Sequence, residues 1–456
     1  MCGRAGVIAG AVAVSVAGLA GPSMAATGPV SPTPASQTPA LYPNGSLEQV
    51  RQLAQCGGTM YAVGSFTSIK RNSTIYTRNN IFSFSATSPF QVTSWDPNVN
   101  GVVDSIAFNG TDCSHAYIGG KFTTVGAATV KNIAEIDTST GAVVPGFGHS
   151  ASGRVETLLG VAGHILAGGY YKTINGSTAN PYMTSLNATT GNDDGFIHLN
   201  ISGNYHFCDS SGRCTGTNPT RVYNQQLSHG GTLDLVEGDF TSVGGFQREQ
   251  VFMLDLSGST AAVTGWTSPE FDGSQPQSTS LYQCWFSEPF YLQAASWSPD
   301  DSAIYVATTG FHPWNLSTGS FPRSGLCDAA AAFPATQAPV HHTWINYTGC
   351  DSLFSTAADN GAAYFGGHER WSENPVGCDF QGTGAVVDPG MEGLAPSTGA
   401  LLLNTGGTAL YTRGRGEGAD DMVITSAGLW IASDNAQSTD SCGGVHGHSG
   451  ICFLPY

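Results

Sequence analysis

The chain is a succession of short apolar runs broken by small and turn-forming residues, and one run recurs seven times. It opens on an aromatic or aliphatic residue, passes through two or three small residues and often closes on an aromatic. The seven copies are YAVGSF (Tyr61–Phe66), YIGGKF (Tyr117–Phe122), LAGGYY (Leu166–Tyr171), LVEGDF (Leu235–Phe240), YVATTGF (Tyr305–Phe311), YFGGHER (Tyr364–Arg370) and WIASDN (Trp430–Asn435). Aligned on Gly64, Gly120, Gly169, Gly238, Thr308, Gly367 and Ser433, they are spaced by 49 to 70 residues. An apolar segment precedes the run, as in VVDSIAF (Val102–Phe108) and RVETLLG (Arg154–Gly160). A turn with a small residue and Gly follows, as in DTSTG (Asp137–Gly141), NATTG (Asn187–Gly191) and PSTG (Pro396–Gly399). Gly supplies the positive φ that tight hairpins require.

Each unit therefore reads as strand, turn, strand ending in the Gly run, loop, strand, hairpin, strand. Four antiparallel strands cannot bury both faces alone, so neighbouring units must stack. Radial stacking of four-stranded sheets makes a β-propeller. The expected fold is all-β: a seven-bladed β-propeller of four-stranded antiparallel blades. Too few residues follow WIASDN for a complete last blade, and ALYPNGSLEQV (Ala40–Val50) matches the exits of other units. The N-terminal strand is expected to close the ring.

GGKFTTVG, the KNIAEID after it, and LVEGDFTSVGGFQREQVFMLDLSG (Leu235–Gly258) resemble the roughly sixty-residue "delta-60" repeats of exported bacterial propellers. LAGGYYKTINGSTANPYMTSLNATTG matches less closely, and repeats five to seven depart from the pattern. The resemblance implies a propeller in an extracellular setting. That family is largely of unknown function, so it implies no chemistry.

Composition agrees with export. Residues 1–25 read as a signal peptide, with Arg4 before an apolar stretch and Ser23-Met24-Ala25 at its end. Residues 26–39 read as a flexible Pro/Ser linker and 40–456 as one propeller domain. Ten cysteines remain after the leader: Cys56, Cys113, Cys208, Cys214, Cys284, Cys327, Cys350, Cys378, Cys442 and Cys452. An even number in an exported chain favours disulfides, and Cys56–Cys113, Cys208–Cys214 and Cys442–Cys452 are the expected pairs. The 60 Gly and 11% charged residues suit many short strands. A net charge of −17 repels phosphate backbones, which argues against nucleic acid as a partner. No apolar run after the leader is long enough for a membrane span, and a monomer is expected.

The candidate chemistry lies where the repeat departs from its pattern. In repeats one to four the loop after the Gly run is stereotyped, and Lys121 there is expected to be inert. In repeats five to seven the loops carry His312, Trp314, His368, Glu369, Arg370, Trp371, Glu373, His446 and His448. Consecutive blades would bring these to one sector of one rim, where an extracellular carbohydrate or protein ligand could bind. A polysaccharide hydrolase or lyase would use Glu369 or Glu373 with His368, since glycoside hydrolysis needs two carboxyls about 5–9 Å apart. A structural surface protein is the third alternative. No metal site or cofactor is predicted. His446-Gly-His448 beside Asp434 is the nearest to a transition-metal pair, and Asp104, Glu156, Asp351 and Asp421 at inner-strand starts could hold calcium or water. His341-His342 would face opposite sides of a strand and so not serve one metal.

Overall fold

A computed structural model describes residues 28–208, 211–215, 218–272, 290–310, 325–336, 339–348, 352–375, 380–413, 419–435 and 449–456. Among them the chain is all-β apart from one 3-10 turn, Pro269–Phe271. Seven sheets repeat one plan. Their first strands are Gln49–Cys56, Val102–Asn109, Arg154–Val161, Arg221–Leu227, Leu292–Trp297, Leu353–Ala358 and Ala419–Thr425. Each pairs antiparallel with a second strand, which pairs with a third. The second strands are Thr59–Ser65, Asp112–Lys121, His164–Tyr170, Leu233–Asp239, Ala303–Thr308, Ala363–Gly367 and Gly428–Ser433. They carry the recurring run read from the sequence.

The Gly of that run has a steric cause. Every first strand shows a register shift, a β-bulge that leaves one residue unpaired. The residue before each bulge lies opposite Gly64, Gly120, Gly169, Gly238, Thr308, Gly367 or Ser433. The bulge drives a first-strand carbonyl towards that partner. A Cβ on Gly120 would sit 2.2 Å from the Val102 carbonyl oxygen, and one on Gly64 2.0 Å from that of Gln49. In sheets five and seven hydroxyl residues stand there instead, and Thr308 Oγ1 accepts a hydrogen bond from the Ala329 N–H at 3.0 Å.

Adjacent sheets share apolar cores in chain order. The residue two after the aligned Gly fills them: Phe66, Phe122, Tyr171 and Phe240 are all buried. Sheets one and seven also share a core, where Trp430 meets Phe84 and Phe90 edge-on at 5.5 Å and stacks on Phe453 at 4.3 Å. The first strand of sheet one packs against those of both sheet two and sheet seven. The arrangement is that of a propeller.

The fourth strands are shorter than the sequence pattern implies. Among the described residues only sheets four and five have one, Ala262–Val263 and Trp344–Tyr347. Sheets one, two, three and six end in single bridges, such as Phe84 with Val92 and Ile136 with Val143. Pro97 and Pro145 follow two of these, and proline has no N–H with which to extend a ladder. Short outer strands also protect against edge-to-edge pairing.

The N-terminal segment lies elsewhere than expected. Residues 49–50 belong to the first strand of sheet one, and it is the stretch before them that meets sheet seven. Ser31, Ala35 and Leu41 donate backbone hydrogen bonds to Pro455, Phe453 and Ser449 at 2.7–2.9 Å. Val30 and Leu41 are buried. The stretch read as a flexible linker is thus laid along the third strand of sheet seven, because that edge offers unpaired carbonyls and an apolar groove.

Cys56–Cys113 joins the hairpin ends of sheets one and two, and Cys208–Cys214 closes a loop hairpin. Cys327 and Cys452 are also disulfide-bonded. Cys284, Cys350, Cys378 and Cys442 lie outside the described residues, as do residues 1–27.

Candidate functional site

The unpaired bulge residues are Arg51, Asp104, Glu156, Tyr223, Gln293, Phe354 and Asp420, one from each first strand. A bulge re-aims the side chain it carries. All seven line one cavity, which residues of every first strand surround. They form a collar of mixed chemistry at its mouth.

The collar stands on a hydrogen-bonded belt. The residue after each of three bulges reaches the next first strand: Asp421 accepts from Leu53 N–H at 2.8 Å, Gln52 from Ile106 N–H at 2.6 Å, and Ser105 from Leu158 N–H at 2.9 Å. Asp421, read from the sequence as a possible calcium ligand, holds backbone instead. Burial pushes its carboxyl up to about 6.

One half of the collar is an ion-pair chain. Asp104 pairs with Arg51 at 3.2 Å and with Arg154. Glu156 lies 3.9 Å from Arg154 and 3.3 Å from Arg221, and Arg221 reaches Asp239 at 2.7 Å. Burial raises the Glu156 carboxyl, and the two arginines pull it back. The other half, Tyr223, Gln293 and Phe354, is uncharged until Asp420. Burial, and then the Asp434 charge, raise the Asp420 carboxyl well above the usual carboxylate range. Gln49 Nε2 donates to it at 2.6 Å.

A second repeat position also faces the mouth: the residue directly after the aligned Gly. Lys121 and Tyr170 line a groove of about 790 Å3 between sheets two, three and four. His368 and Asp434 line the collar cavity of about 440 Å3. The two spaces share Arg154, Glu156 and Arg221.

This alternation decides where the predicted residues fall. His368 takes the outward position, with its ring edge-on to Phe354 at 4.9 Å. Glu369 takes the position that holds a buried aromatic in repeats one to four, and it is fully buried. Neighbours along an extended chain point to opposite sides, so His368 and Glu369 do not share a cavity. Glu373 accepts from Leu401 N–H at 3.0 Å, and its own N–H donates to Asn346 at 2.7 Å, which makes it a loop brace. The Arg370 guanidinium lies 4.4 Å from the Trp371 ring centroid. Beneath them Ser372 donates to the buried carboxyls of Asp388 and Glu392. Burial pushes Glu392 up to about 8. His312, Trp314, His446, His448 and Asp351 lie outside the described residues.

Two histidine readings change. His341 and His342 precede the strand Trp344–Tyr347, so strand alternation does not separate them. Their Nδ1 atoms meet the two oxygens of Glu270 at 2.9 and 2.6 Å. Among the described residues the single three-ligand grouping is His206, Cys208 and Cys214, and the disulfide between its cysteines removes the thiolates a metal would need.

The sequence reading missed the collar. Its signal was present: the residue after the aliphatic position that faces each aligned Gly. Asp104 and Glu156 were found as inner-strand acids, but Arg51, Tyr223, Gln293, Phe354 and Asp420 were not.

No family model and no curated protein matches the sequence. The crystal structure of the WD40 β-propeller domain of Doa1 is similar over 91% of this chain and 95% of that one, at 10% identity and a TM-score of 0.42. The computationally designed Ika8 protein is similar over 91% and 98%, at 9% identity and 0.41. Both scores are too low to carry an argument about this chain. No described helix is long and apolar enough to cross a membrane.

Proposed function

We propose that the chain is a secreted, seven-bladed propeller of the delta-60 type, closed by its N-terminal segment, that binds an extracellular carbohydrate or protein ligand at the collar face. The observation that carries this reading is the convergence of seven bulge residues on one cavity, with a wider groove opening beside it. A framework needs no such collar: bulges cost ladder hydrogen bonds, and re-aimed polar side chains are what binding sites require. Two disulfides suit an exported protein. His368 is the member of the predicted sector that fits this site.

One observation favours a second reading, a polysaccharide hydrolase or lyase. Asp420, held protonated beside Asp434, lies in the same cavity as His368, and a raised carboxyl beside a second acid suits general acid–base work. These groups replace Glu369 and Glu373 as the acids of that reading.

A glycan array on the full chain, read together with reducing-sugar release, tests both. Binding that His368→Ala weakens at least tenfold, without release, supports the binding reading. Release that Asp420→Asn abolishes supports the hydrolase. Neither binding nor release returns the chain to a structural surface role.

A further inference from the structure

We infer that the groove between sheets two, three and four takes an acidic oligosaccharide, one carrying carboxylate or sulfate on its pyranose rings. The inference rests on the binding reading above and names the ligand class.

The argument starts from charge. The chain has 16 Lys and Arg against 33 Asp and Glu. Four of the sixteen, Lys121, Lys131, Arg154 and Arg221, line this one groove, and Glu156 is its only acid. The arginines are accounted for: with Arg51 they match Asp104, Glu156 and Asp239 in the ion-pair chain. Lys121 and Lys131 are not. Both are exposed, and no carboxylate lies within ion-pair distance of either ammonium among the described residues. The groove therefore holds a surplus of two positive charges on a protein of net charge −17. Walls of low dielectric focus such a field on the space between them.

Much of the remaining polar lining is occupied in building the wall. The Asn100 oxygen accepts from the N–H groups of Thr123 and Thr124, both at 2.9 Å. Asn132 donates to Ala151 O at 3.1 Å, and Ser152 Oγ accepts from Lys172 and Thr173 N–H at 2.9 Å. These bonds make the groove rigid and leave three groups for a ligand: two ammoniums and the Tyr170 ring, which is 49% exposed. An aromatic face at the rim of a polar groove is a platform for a sugar ring, and its hydroxyl end stays in water. A volume of about 790 Å3 falls within the roughly 300–1,000 Å3 of small-molecule sites. A small inorganic anion would leave most of it empty and would not use the ring. Nucleic acid would meet the repulsion of the whole chain.

The test is calorimetric titration of the full chain with three oligosaccharides of equal length: an oligogalacturonate, a sulfated heparin fragment and a neutral galactan. Inorganic phosphate is the fourth probe. Binding of an acidic oligosaccharide at least tenfold tighter than the neutral one, weakening with salt, supports the inference; which acid wins separates carboxylate from sulfate. Lys121→Ala/Lys131→Ala should lower that affinity at least tenfold with unchanged melting. Tyr170→Ala should lower it without affecting phosphate. Equal affinity for the neutral chain, phosphate as tight as the oligosaccharide, or indifference to the double lysine change overturns the inference. Neutral binding that His368→Ala still weakens leaves the binding reading standing; no glycan binding at all overturns its carbohydrate arm as well.

Discussion

Sheets two to four and sheets five to seven treat the same repeat position in opposite ways. In sheets two and three the residues after the aligned Gly, Lys121 and Tyr170, stand exposed at a groove. In sheet six the loop that looked richest in chemistry turns inward: Glu369 is buried, Glu373 braces a loop, and Ser372 ties down two buried carboxyls. Divergence from the repeat therefore marks where the framework needed a local solution. Chemistry left free marks where something else can bind, and it lies largely in the ordinary repeats. Lys121, expected to be inert, is among the groups with no partner among the described residues.

Three experiments can break or sharpen that comparison. The largest effect is expected from the seam between the two regions. A chain starting at Tyr42 loses the segment along sheet seven, with Val30 and Leu41, two buried aliphatic side chains at about 1.5–3 kcal/mol each. It should melt many degrees lower and aggregate through the bared edge of Ile451–Pro455. Unchanged melting would show that closure owes nothing to this segment.

The next effect separates glycine sheets from hydroxyl sheets. Gly120→Ala forces a Cβ against the Val102 carbonyl and should cost about 1–3 kcal/mol or more by denaturant unfolding. Thr308→Gly should also destabilise, though for another reason: it removes a hydroxyl bonded to the Ala329 N–H and adds backbone freedom, about 1–2 kcal/mol together. If Gly120→Ala were neutral, the bulge would not explain the repeat.

The smallest effect is a pH dependence at the border between sheets four and five. Hydrogen bonding to Glu270 raises His342 from 6.5; burial pushes the Glu270 carboxyl up, but its bonds to the two histidines outweigh this and hold it below 4.5. A raised histidine contributes fully below 6.5, and its contribution is lost as pH climbs through the folded value. A depressed carboxyl contributes above 4.5, and its contribution is lost as pH falls through its folded value. The stability difference between the native chain and Glu270→Gln should therefore be greatest, about 1–2 kcal/mol, between 4.5 and 6.5, and shrink on both sides. A difference independent of pH would mean that the clasp is not ionic.

Much of the fold was legible because its signals are local. A strand that pairs across a bulge must put a small residue opposite it, so the Gly run marks the second strand of each sheet whatever the neighbours are. Cys56–Cys113 could be matched because both cysteines sit at the same hairpin end of consecutive repeats. The fourth strands were less legible, since an outer strand has no facing partner to impose a pattern on it.

The site was half legible. Aligning the repeats was enough to find Lys121, Tyr170, His368 and Asp434 as one column, and Glu369 in the column of Phe122 and Phe240. Reading that second column as buried would have removed Glu369 from the rim. What alignment cannot express is which charges cancel. Arg154 and Arg221 look as free as Lys121 in the sequence, because Asp104 and Glu156 come from other repeats, and Asp239 reaches Arg221 only across the sheet.

The sequence by itself determined the strand order, the repeat and the positions that bulge, because each depends on a residue and its near neighbours along the chain. Tertiary structure alone decided which of those positions meet. Ion pairing and burial depend on distances between repeats some fifty to seventy residues apart, and only the packed sheets set those distances, leaving two lysines without partners at a groove and folding a glutamate into a core.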